Sequence, residues 1–395
     1  MSLILVISAG TPPIGSWHQR IKMFNFGFRE FGHDFFHIVP YYAPTPEAIA
    51  SSPNYVKYCL KSRKHKKGRL SKVFTSVYGT FKAVHYLYTL KNVSFVIVPG
   101  MNFLQGALVF ITSKLIGIPY YAEIADENGY LDKDKLTLAD YLAKYNQILY
   151  ERLILKRADK LFVFSSYLEQ KYVMNLGTKV NIIRTVPSMI DLDFFDKDNN
   201  HDINDINQSG IEYLDSECIK FVYAGACNRT NGIFFFLDSL VRVVQKKPFD
   251  YKVFFFFVYG DVEKVTNYCQ FLGISQNVHV FKPVLPHFIP TIYSKADILV
   301  LPEHGDIIAN AGFPGKTAEL LASGKAIIAT DFSDLAYYLK NKSNAMISKI
   351  GDRVAYERSL FELMENENLR SEIGRNARAT AKMYFDCKNA IKKYL

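Results

Sequence analysis

Residues 297–330, DILVLPEHGDIIANAGFPGKTAELLASGKAIIAT, form the stretch on which the fold assignment depends. Two apolar runs, Ile298–Leu301 and Ala326–Ala329, have the length and composition of buried strands. Between them, Pro314–Ser323 is predicted to be a helix, because proline suits a first helical position and Gly324 suits the position just past the end. The stretch therefore predicts a strand, a long loop, a short helix and a second strand.

The loop of this unit leads to Gly312, Phe313 and Lys316 at the predicted start of the helix. Free N–H groups and the positive end of the helix dipole favour an anion there. A lysine opposes the dipole, so Lys316 is best explained by a bound phosphate. Glu319, three residues further on, can accept hydrogen bonds from a ribose. The alternative is that both side chains are solvated on an ordinary surface helix.

Length and composition limit the possible classes of protein. A chain of 395 residues indicates about two domains, and 49% hydrophobic with 22% charged residues excludes disorder for most of it. The net charge of +10 predicts an anionic partner, which is a nucleotide, a nucleic acid or an acidic membrane face. The five cysteines are scattered and odd in number, so we expect neither a disulfide framework nor a zinc site.

Two apolar stretches bear on localisation. The N-terminal MSLILVISAG has too short an apolar run for a signal sequence and continues into a strand-like pattern. Met101–Pro119 carries Gln105 and Lys114, which favours a buried amphipathic helix over a membrane span. We therefore expect a cytoplasmic protein.

The first half of the chain alternates short apolar strands with helices, as in a parallel sheet covered on both faces. The predicted strands are Leu3–Ser8, Phe35–Val39, Phe95–Val98 and Leu161–Phe164, and the predicted helices are Ser16–Phe31, 103–116 and 138–158. The loop that contains Gly15 follows the first strand, where such a sheet binds ligands. A turn glycine explains Gly15 equally well.

The alternation restarts after residues 196–217, which are polar, rich in Asn and Asp, and predicted to be a linker. The elements predicted there are strands Phe221–Ala224, Lys252–Tyr259 and Val278–Phe281, and helices Ile233–Val244, Glu263–Leu272 and Phe288–Lys295. Residues 367–395 have a helical pattern. The predicted domains are thus 1–195 and 218–370, and a C-terminal helix over 371–395 packs back on the first domain.

The first turn of the second half, GACNRTNG at 225–232, follows a strand as the Gly15 loop does. It places Asn228 and Arg229 between Gly225 and Gly232. Arginine can clamp a diphosphate through paired hydrogen bonds. Paired with Lys316, it would neutralise one leaving group.

These segments together resemble the retaining glycosyltransferases of family 4, over nearly the whole chain. The resemblance rests on GACNRTNG, ADILVLP, FPGKTAELLASGKAIIAT, ADKLFVFSSYLEQKY and VPSMIDLDFF. It implies an α/β protein with the GT-B fold, in which two facing Rossmann-like, doubly wound domains are joined and a C-terminal helix crosses back. It also implies that the N-terminal domain binds the acceptor and that the C-terminal domain binds a nucleotide sugar.

The resemblance assigns roles to residues of the second domain. Arg229 and Lys316 hold the diphosphate, and Glu319 contacts the ribose. The family often has a glutamate eight positions before Glu319, where this chain has Ala311. Its contacts to the donor sugar would then come from Asn310 or from backbone amides near Gly312. Gly225, Asn228 and Phe313 complete the donor site.

In the first domain, the resemblance places the Gly15 loop opposite the diphosphate and the acceptor. A residue after the middle strand commonly lies near the reacting centre, and YYAEIADENGY offers Glu123 and Glu127. Glu127 is beyond the strand and is the better candidate. Its alternative is an ordinary solvated carboxylate.

We expect no metal and no cofactor, because cations neutralise the diphosphate. Asp191 and Asp193 are spaced like the metal-binding DxD of another glycosyltransferase fold. They occupy a segment that the resembled family also has, so we do not assign them to a metal. Retention in this fold is thought to use no protein nucleophile, because the departing phosphate takes the proton of the acceptor.

The densest basic run is Lys57–Lys72. It is either a solvated surface or a contact with anionic lipid headgroups on the inner face of the membrane. Single-stranded nucleic acid is disfavoured, because Lys61–Arg69 has no interleaved aromatic residues.

The function hypothesis is a hexosyl transfer (EC 2.4) from a nucleoside-diphosphate sugar, by default UDP-linked, to a lipid-linked acceptor in the biosynthesis of a surface polysaccharide such as capsule or lipopolysaccharide. One alternative is a GT-B epimerase that acts on the sugar nucleotide. Another is a non-catalytic basic protein that binds nucleic acid or membrane.

Overall fold

The computed structural model describes residues 2–8, 16–40, 53–59, 69–100, 102–125, 138–177, 180–185, 188–197, 201–227, 232–302 and 312–395. These residues form two compact units. Unit 1 comprises Met1–Met189 and Cys387–Leu395, and unit 2 comprises Ile190–Asp386. Each unit is built on its own parallel sheet.

Within the described residues, the sheet of unit 1 has seven strands. They are β1 (Leu3–Ile7), β2 (Asp34–Val39), β3 (Val56–Tyr58), β4 (Val93–Pro99), β5 (Tyr120–Ile124), β6 (Lys160–Val163) and β7 (Ile182–Arg184). Their order is β3-β2-β1-β4-β5-β6-β7, and all neighbours are parallel. The central strands are almost entirely apolar and buried, because helices cover both faces of such a sheet.

Helices connect these strands in a regular alternation. They are α1 (Ser16–Glu30), α2 (Arg69–Thr89), α3 (Phe103–Leu115), α4 (Leu138–Leu149) and α5 (Ser166–Leu176). After α4 the chain continues as a π-helical turn, Tyr150–Ile154, and a 3₁₀ turn, Leu155–Arg157. The helix predicted over 138–158 therefore has the right extent, but only its first part is α-helical.

The sheet of unit 2 has six strands among the described residues. They are β8 (Ile219–Cys227), β9 (Tyr251–Gly260), β10 (Val278–Phe281), β11 (Ile298–Leu301), β12 (Ala326–Asp331) and β13 (Met346–Lys349). Their order is β10-β9-β8-β11-β12-β13, again with parallel neighbours. The predicted α/β class with two doubly wound sheets is confirmed.

The helices of unit 2 are α6 (Leu192–Lys197), α7 (Ile233–Lys246), α8 (Val262–Phe271), α9 (Ile289–Lys295), α10 (Thr317–Ala322), α11 (Leu335–Tyr338), α12 (Arg353–Glu365) and α13 (Glu367–Thr380). Short 3₁₀ turns cover Ile203–Asp205, Ile211–Asp215, Ser275–Asn277 and Pro286–Phe288. None of the helices in the described parts of the chain is long and apolar enough to cross a membrane.

The domain boundaries differ from those predicted. Residues 196–217, expected to be a linker, lie within unit 2, where Ile203, Ile206, Ile211 and Leu214 are each at most 5% exposed. These side chains are irregularly spaced and anchor two 3₁₀ turns, so the sequence shows no helical or strand period. From the sequence alone, a buried but irregular segment of this kind therefore looks like a polar linker.

The C-terminal segment also differs from the single helix predicted over 371–395. The helix α13 passes into a π-helical turn, Ala381–Phe385, which belongs to unit 2. The chain crosses to unit 1 between Asp386 and Cys387 and ends in α14 (Cys387–Ala390) and a 3₁₀ turn, Ile391–Lys393. The predicted return to the first domain is thus made by a nine-residue tail.

The tail packs closely against α1. Gly27 of α1 permits this approach, because a Cβ there would lie only 3.0 Å from the carbonyl oxygen of Cys387. Near the end of the tail, the ring of Tyr394 stacks on Phe162 with centroids 4.1 Å apart and meets Phe24 edge to face at 5.2 Å. Tyr394 is therefore part of the core of unit 1.

The hydroxyl of Tyr394 completes a buried polar cluster. Nε of Arg20 donates to Oε1 of Glu123 at 3.1 Å, and Nη2 of Arg20 donates to Tyr394 at 2.6 Å. The Tyr394 hydroxyl in turn donates to Glu123 Oε1. Burial alone would lower the pKa of Arg20, but Glu123 and Tyr394 raise it above its ordinary value. The ion pair is therefore stable in the interior only with its partners in place.

We expect Tyr394→Phe to lower the free energy of unfolding by about 1–3 kcal/mol, because the buried ion pair loses a hydrogen-bonding partner while the aromatic packing remains. Urea denaturation followed by near-ultraviolet circular dichroism measures this. Leu395→Ala, at the partly exposed next position, is the matched control and should change stability by less than about 0.5 kcal/mol. Equal midpoints for the two variants would contradict the role of the hydroxyl.

Candidate functional site

Unit 2 has a topological switch point where its strand order reverses, between β8 and β11. Doubly wound sheets bind ligands at the carboxyl ends of the strands at such a point. Gly225 lies near the end of β8, and Lys316 follows the loop after β11. A Cβ added to Gly225 would lie 3.2 Å from Nζ of Lys316. The structure thus brings together two of the predicted site residues.

Tyr223, which the sequence did not indicate, supports the lysine. Nζ of Lys316 lies 3.8 Å from the centroid of the Tyr223 ring, and the ring is 1% exposed. The Tyr223 hydroxyl donates to the carbonyl of Ala226 at 2.7 Å, which fixes the ring. A cation over an aromatic face is stabilised by the ring quadrupole. The ammonium is therefore held beside the bare backbone of Gly225.

The helix that follows is shorter than predicted. It begins at Thr317, with Lys316 at the N-cap, so Pro314 is not in the helix. Both the N–H and the hydroxyl of Thr317 donate to the carbonyl of Pro314, at 3.0 and 2.8 Å. The backbone bond closes a turn over residues 314–317 before the helix starts, and the hydroxyl bond reinforces it. Since α10 has only six residues, any attraction of an anion to this place would depend more on the charge of Lys316 than on a helix dipole.

Neighbouring elements of unit 2 hold this loop and helix in place. The hydroxyl of Ser333 donates to the carbonyl of Gly312. The ring of Phe313 meets Tyr338 edge to face at 5.6 Å and lies 6.2 Å from Phe385. At the other end of α10, the guanidinium of Arg378 donates to the last helical carbonyl, that of Ala322. Lys316 therefore projects from a firmly anchored segment.

Glu319 is partly buried on α10. Burial raises the pKa of its carboxyl group from 4.5 to about 7, against the opposing effect of Lys316. Burial raises the pKa of the Tyr293 hydroxyl, and the negative charge of Glu319 raises it further. Near neutral pH the carboxyl group is therefore partly protonated, and it can accept or donate a hydrogen bond.

The structure does not describe several of the predicted site residues. Gly15, Glu127, Asn228, Arg229 and Asn310 lie outside the described residues, as do Ala311 and most of the basic run Lys57–Lys72.

Glu123, the alternative to Glu127, is occupied in the ion pair with Arg20. In the described parts of the chain, no cluster of three or more His, Cys, Asp or Glu side chains is arranged to hold a metal ion. Oδ1 of Asp191 accepts the N–H of Asp193 at 3.1 Å, just before α6.

Comparisons with known proteins give the fold and a family match for part of the chain. Residues 206–380 match the family model described as "Glycosyl transferases group 1", a range that contains Gly225, Lys316 and Glu319. Over 100% of its length, the chain superimposes on a glycosyltransferase from Rickettsia africae, with 15% identity, a TM-score of 0.70 and 96% of that chain covered. The fold is GT-B. No curated protein matches the sequence.

Two further GT-B structures are similar over almost all of both chains. Anabaena Alr3699/HepE in complex with UDP and glucose has 12% identity and a TM-score of 0.69, with 100% of this chain and 98% of that chain covered. WaaG, a glycosyltransferase involved in lipopolysaccharide biosynthesis, has 12% identity and a TM-score of 0.67, with 99% and 98% covered. The predicted GT-B fold is confirmed, and residues 206–380 are similar to group 1 glycosyl transferases.

The raised pKa of Glu319 predicts how stability depends on pH. The folded chain binds this proton more tightly than the unfolded chain, so the ionised carboxylate opposes folding above about pH 7. Glu319→Gln is neutral at every pH. We expect it to raise the free energy of unfolding at pH 8 by at most about 3 kcal/mol. The gain should shrink as the pH falls and vanish below about 4.5.

Urea denaturation at pH 8, 6 and 4.5 checks this prediction. Glu372→Gln, at an exposed position on α13, is the control and should show no such trend. A Glu319→Gln variant that is less stable than the native chain at pH 8 would contradict the assignment.

Proposed function

We propose that this protein is a retaining glycosyltransferase that moves a sugar from a nucleoside-diphosphate sugar to a glycan acceptor. The GT-B fold and the group 1 match over residues 206–380 support glycosyl transfer. The observation that supports the proposal most strongly is that the ammonium of Lys316 lies beside Gly225 at the switch point of unit 2. A cation at that place suits an anionic leaving group.

The donor in this proposal is a UDP-sugar. The diphosphate lies at Lys316 and against the backbone of Gly225, where the absence of a side chain leaves room for it. Glu319 accepts hydrogen bonds from the ribose. The complex of HepE with UDP and glucose is consistent with a uridine donor. The proposal assigns Arg229, Asn228, Asn310, Gly312 and Phe313 to the rest of the donor site.

The chemical step exchanges one bond for another at the anomeric carbon. The bond to the diphosphate oxygen breaks, and the acceptor oxygen bonds to the same face of the sugar. The proton of the acceptor hydroxyl passes to the departing phosphate, so no protein nucleophile takes part. The protein then has to stabilise the charge that develops on the diphosphate, which is the role of Lys316 and Arg229. The proposal also assigns Gly15 to donor binding and Glu127 to catalysis.

We further propose a lipid-linked acceptor in the assembly of a surface polysaccharide. WaaG, a structure of the same fold, takes part in lipopolysaccharide biosynthesis. The excess of basic residues suits an acceptor carried by an anionic membrane.

Thermal unfolding with UDP, GDP, ADP, TDP and CMP tests the donor site. We expect one diphosphate to stabilise the chain, by about 2.7 kcal/mol at 100 times its Kd. Lys316→Ala should abolish this shift and lower turnover by about a hundredfold or more. The control, Lys340→Ala, removes an exposed lysine of unit 2 and should keep both. No shift with any diphosphate would overturn the proposal in favour of a non-catalytic binding protein.

Transfer activity is expected to persist in EDTA, because the proposal assigns charge neutralisation to Lys316 and Arg229. Release of UDP from a UDP-sugar, measured with and without the chelator, checks this. Activity that disappears in EDTA and returns with a divalent cation would assign the neutralising role to a metal.

A further inference from the structure

The positive charge of the chain is concentrated in one segment. Residues 48–122 contain eleven Lys and Arg residues and neither Asp nor Glu. The net charge of the whole chain is +10, so the residues outside this segment carry a net charge of −1. The segment contributes β3, α2, β4 and α3 to unit 1. These four elements contain lysine and arginine but neither Asp nor Glu, so they suit an anionic partner.

The two helices of this segment lie on the same face of the sheet. The chain moves in one direction along the sheet from β3 to β4 and from β4 to β5, and right-handed crossovers put both connecting helices on one side. The helices α2 and α3 also pack directly against each other. The connection from β1 to β2 runs in the opposite direction, so α1 lies on the other face. The α1 face is the one covered by the C-terminal tail.

Each helix turns a stripe of large apolar side chains outward. On α2 these are Tyr78, Phe81 and Tyr88, and on α3 they are Leu104, Ile111 and Leu115, all between 52% and 81% exposed. Their spacings of 3 and 10 residues on α2, and of 7 and 11 on α3, place each set within one side of its helix. We call this surface of six side chains the α2–α3 face. Apolar side chains of this size are normally turned inward on a helix that covers a sheet.

Basic groups accompany the apolar side chains. Nζ of Lys82 lies 4.9 Å from the centroid of the Tyr78 ring. Nζ of Lys114 lies 5.6 Å from the centroid of Phe110, but it is paired with Asp159 at 2.7 Å, so Lys82 is the better candidate for contact with an anion. The helix α2 begins at Arg69, within the densest basic run, Lys57–Lys72. Apolar and aromatic side chains next to lysines are typical of surfaces that lie in the headgroup region of a membrane. Tyrosine suits that region because its ring is apolar and its hydroxyl is polar.

We propose that the α2–α3 face docks on an anionic lipid bilayer. Charge complementarity favours this occupant over a second copy of the chain, because two such faces would bring two strongly basic segments together. Leu104, Ile111 and Leu115 gain little from a nucleic acid, whereas they can enter the headgroup region of a bilayer. This proposal concerns a surface of unit 1 and goes beyond the proposed sugar transfer. Vesicle binding is measured without sugar transfer, so either proposal can fail without the other.

Sedimentation of the full chain with vesicles tests the docking surface. We expect binding to phosphatidylcholine vesicles that contain 30% phosphatidylglycerol, little binding to pure phosphatidylcholine, and weaker binding when the salt is raised from 50 to 500 mM. The double variant Phe81→Ser, Leu115→Ser should bind the anionic vesicles at least tenfold more weakly. Lys82→Glu should weaken binding as well.

The matched control is Phe271→Ser, Val354→Ser. Both positions lie in unit 2 and are 81% and 78% exposed, against 56% and 81% for Phe81 and Leu115. This control should bind vesicles like the native chain. Near-ultraviolet circular dichroism and urea denaturation of the test variant, compared with the native chain, show whether unit 1 is still folded. Unchanged vesicle binding in the test variant would overturn the proposal.

Two further results would also overturn it. One is tighter binding to a single-stranded oligonucleotide than to anionic vesicles, lost in the same double variant, which would make the surface a nucleic-acid site. The other is a dimer in sedimentation equilibrium that Phe81→Ser, Leu115→Ser dissociates, which would make it an interface between copies.

Discussion

Burial of both faces of a parallel sheet is the constraint on which the rest of this protein depends. Strands covered on both sides must be apolar along their length, so polar side chains are confined to the strand ends, where partners can satisfy them. The carboxyl end of β8 meets Lys316, and Glu123 near the end of β5 meets Arg20. The hydroxyl of Ser8, just after β1, lies 2.7 Å from Nε2 of His37. The constraint that makes the two cores apolar therefore also places the polar side chains of the strands at one edge of each sheet.

The electrostatics of the unit 2 site follow from how its charged groups are held. Lys316 is a full positive charge on the face of Tyr223, whereas Glu319 is partly neutral near pH 7 because of its burial. The pair therefore carries a net positive charge when no ligand is bound. A net positive charge of this kind favours an anionic ligand beside it.

The sequence predicted the buried strands well and the irregular parts poorly, for physical reasons. Central strands such as β11 and β12 are all apolar, and the predicted strand and helix ends before residue 300 agree within three residues, except at 138–158. The edge strands β3, β7 and β13 are short and partly exposed, so they lack that signal. Lys316 and Glu319 were predicted as site residues from their place beside a glycine-rich turn, and that assignment stays a prediction, whereas Tyr223 looks like any core residue of a strand. The Arg20, Glu123 and Tyr394 cluster joins positions up to 374 residues apart, which no local pattern can reveal.

The nine-residue tail also determines the order in which the two units can complete their folding during synthesis. Unit 2 is continuous in sequence, whereas unit 1 is interrupted by all 197 residues of unit 2 before Tyr394 can reach Phe162 and the Arg20 pair. At about 5–20 residues per second, the ribosome needs about 10–40 s to make that insertion. During this interval unit 1 lacks the ring of Tyr394 in its aromatic core. The ion pair between Arg20 and Glu123 also lacks the Tyr394 hydroxyl. The half of the chain that is synthesised first is thus the half that finishes folding last.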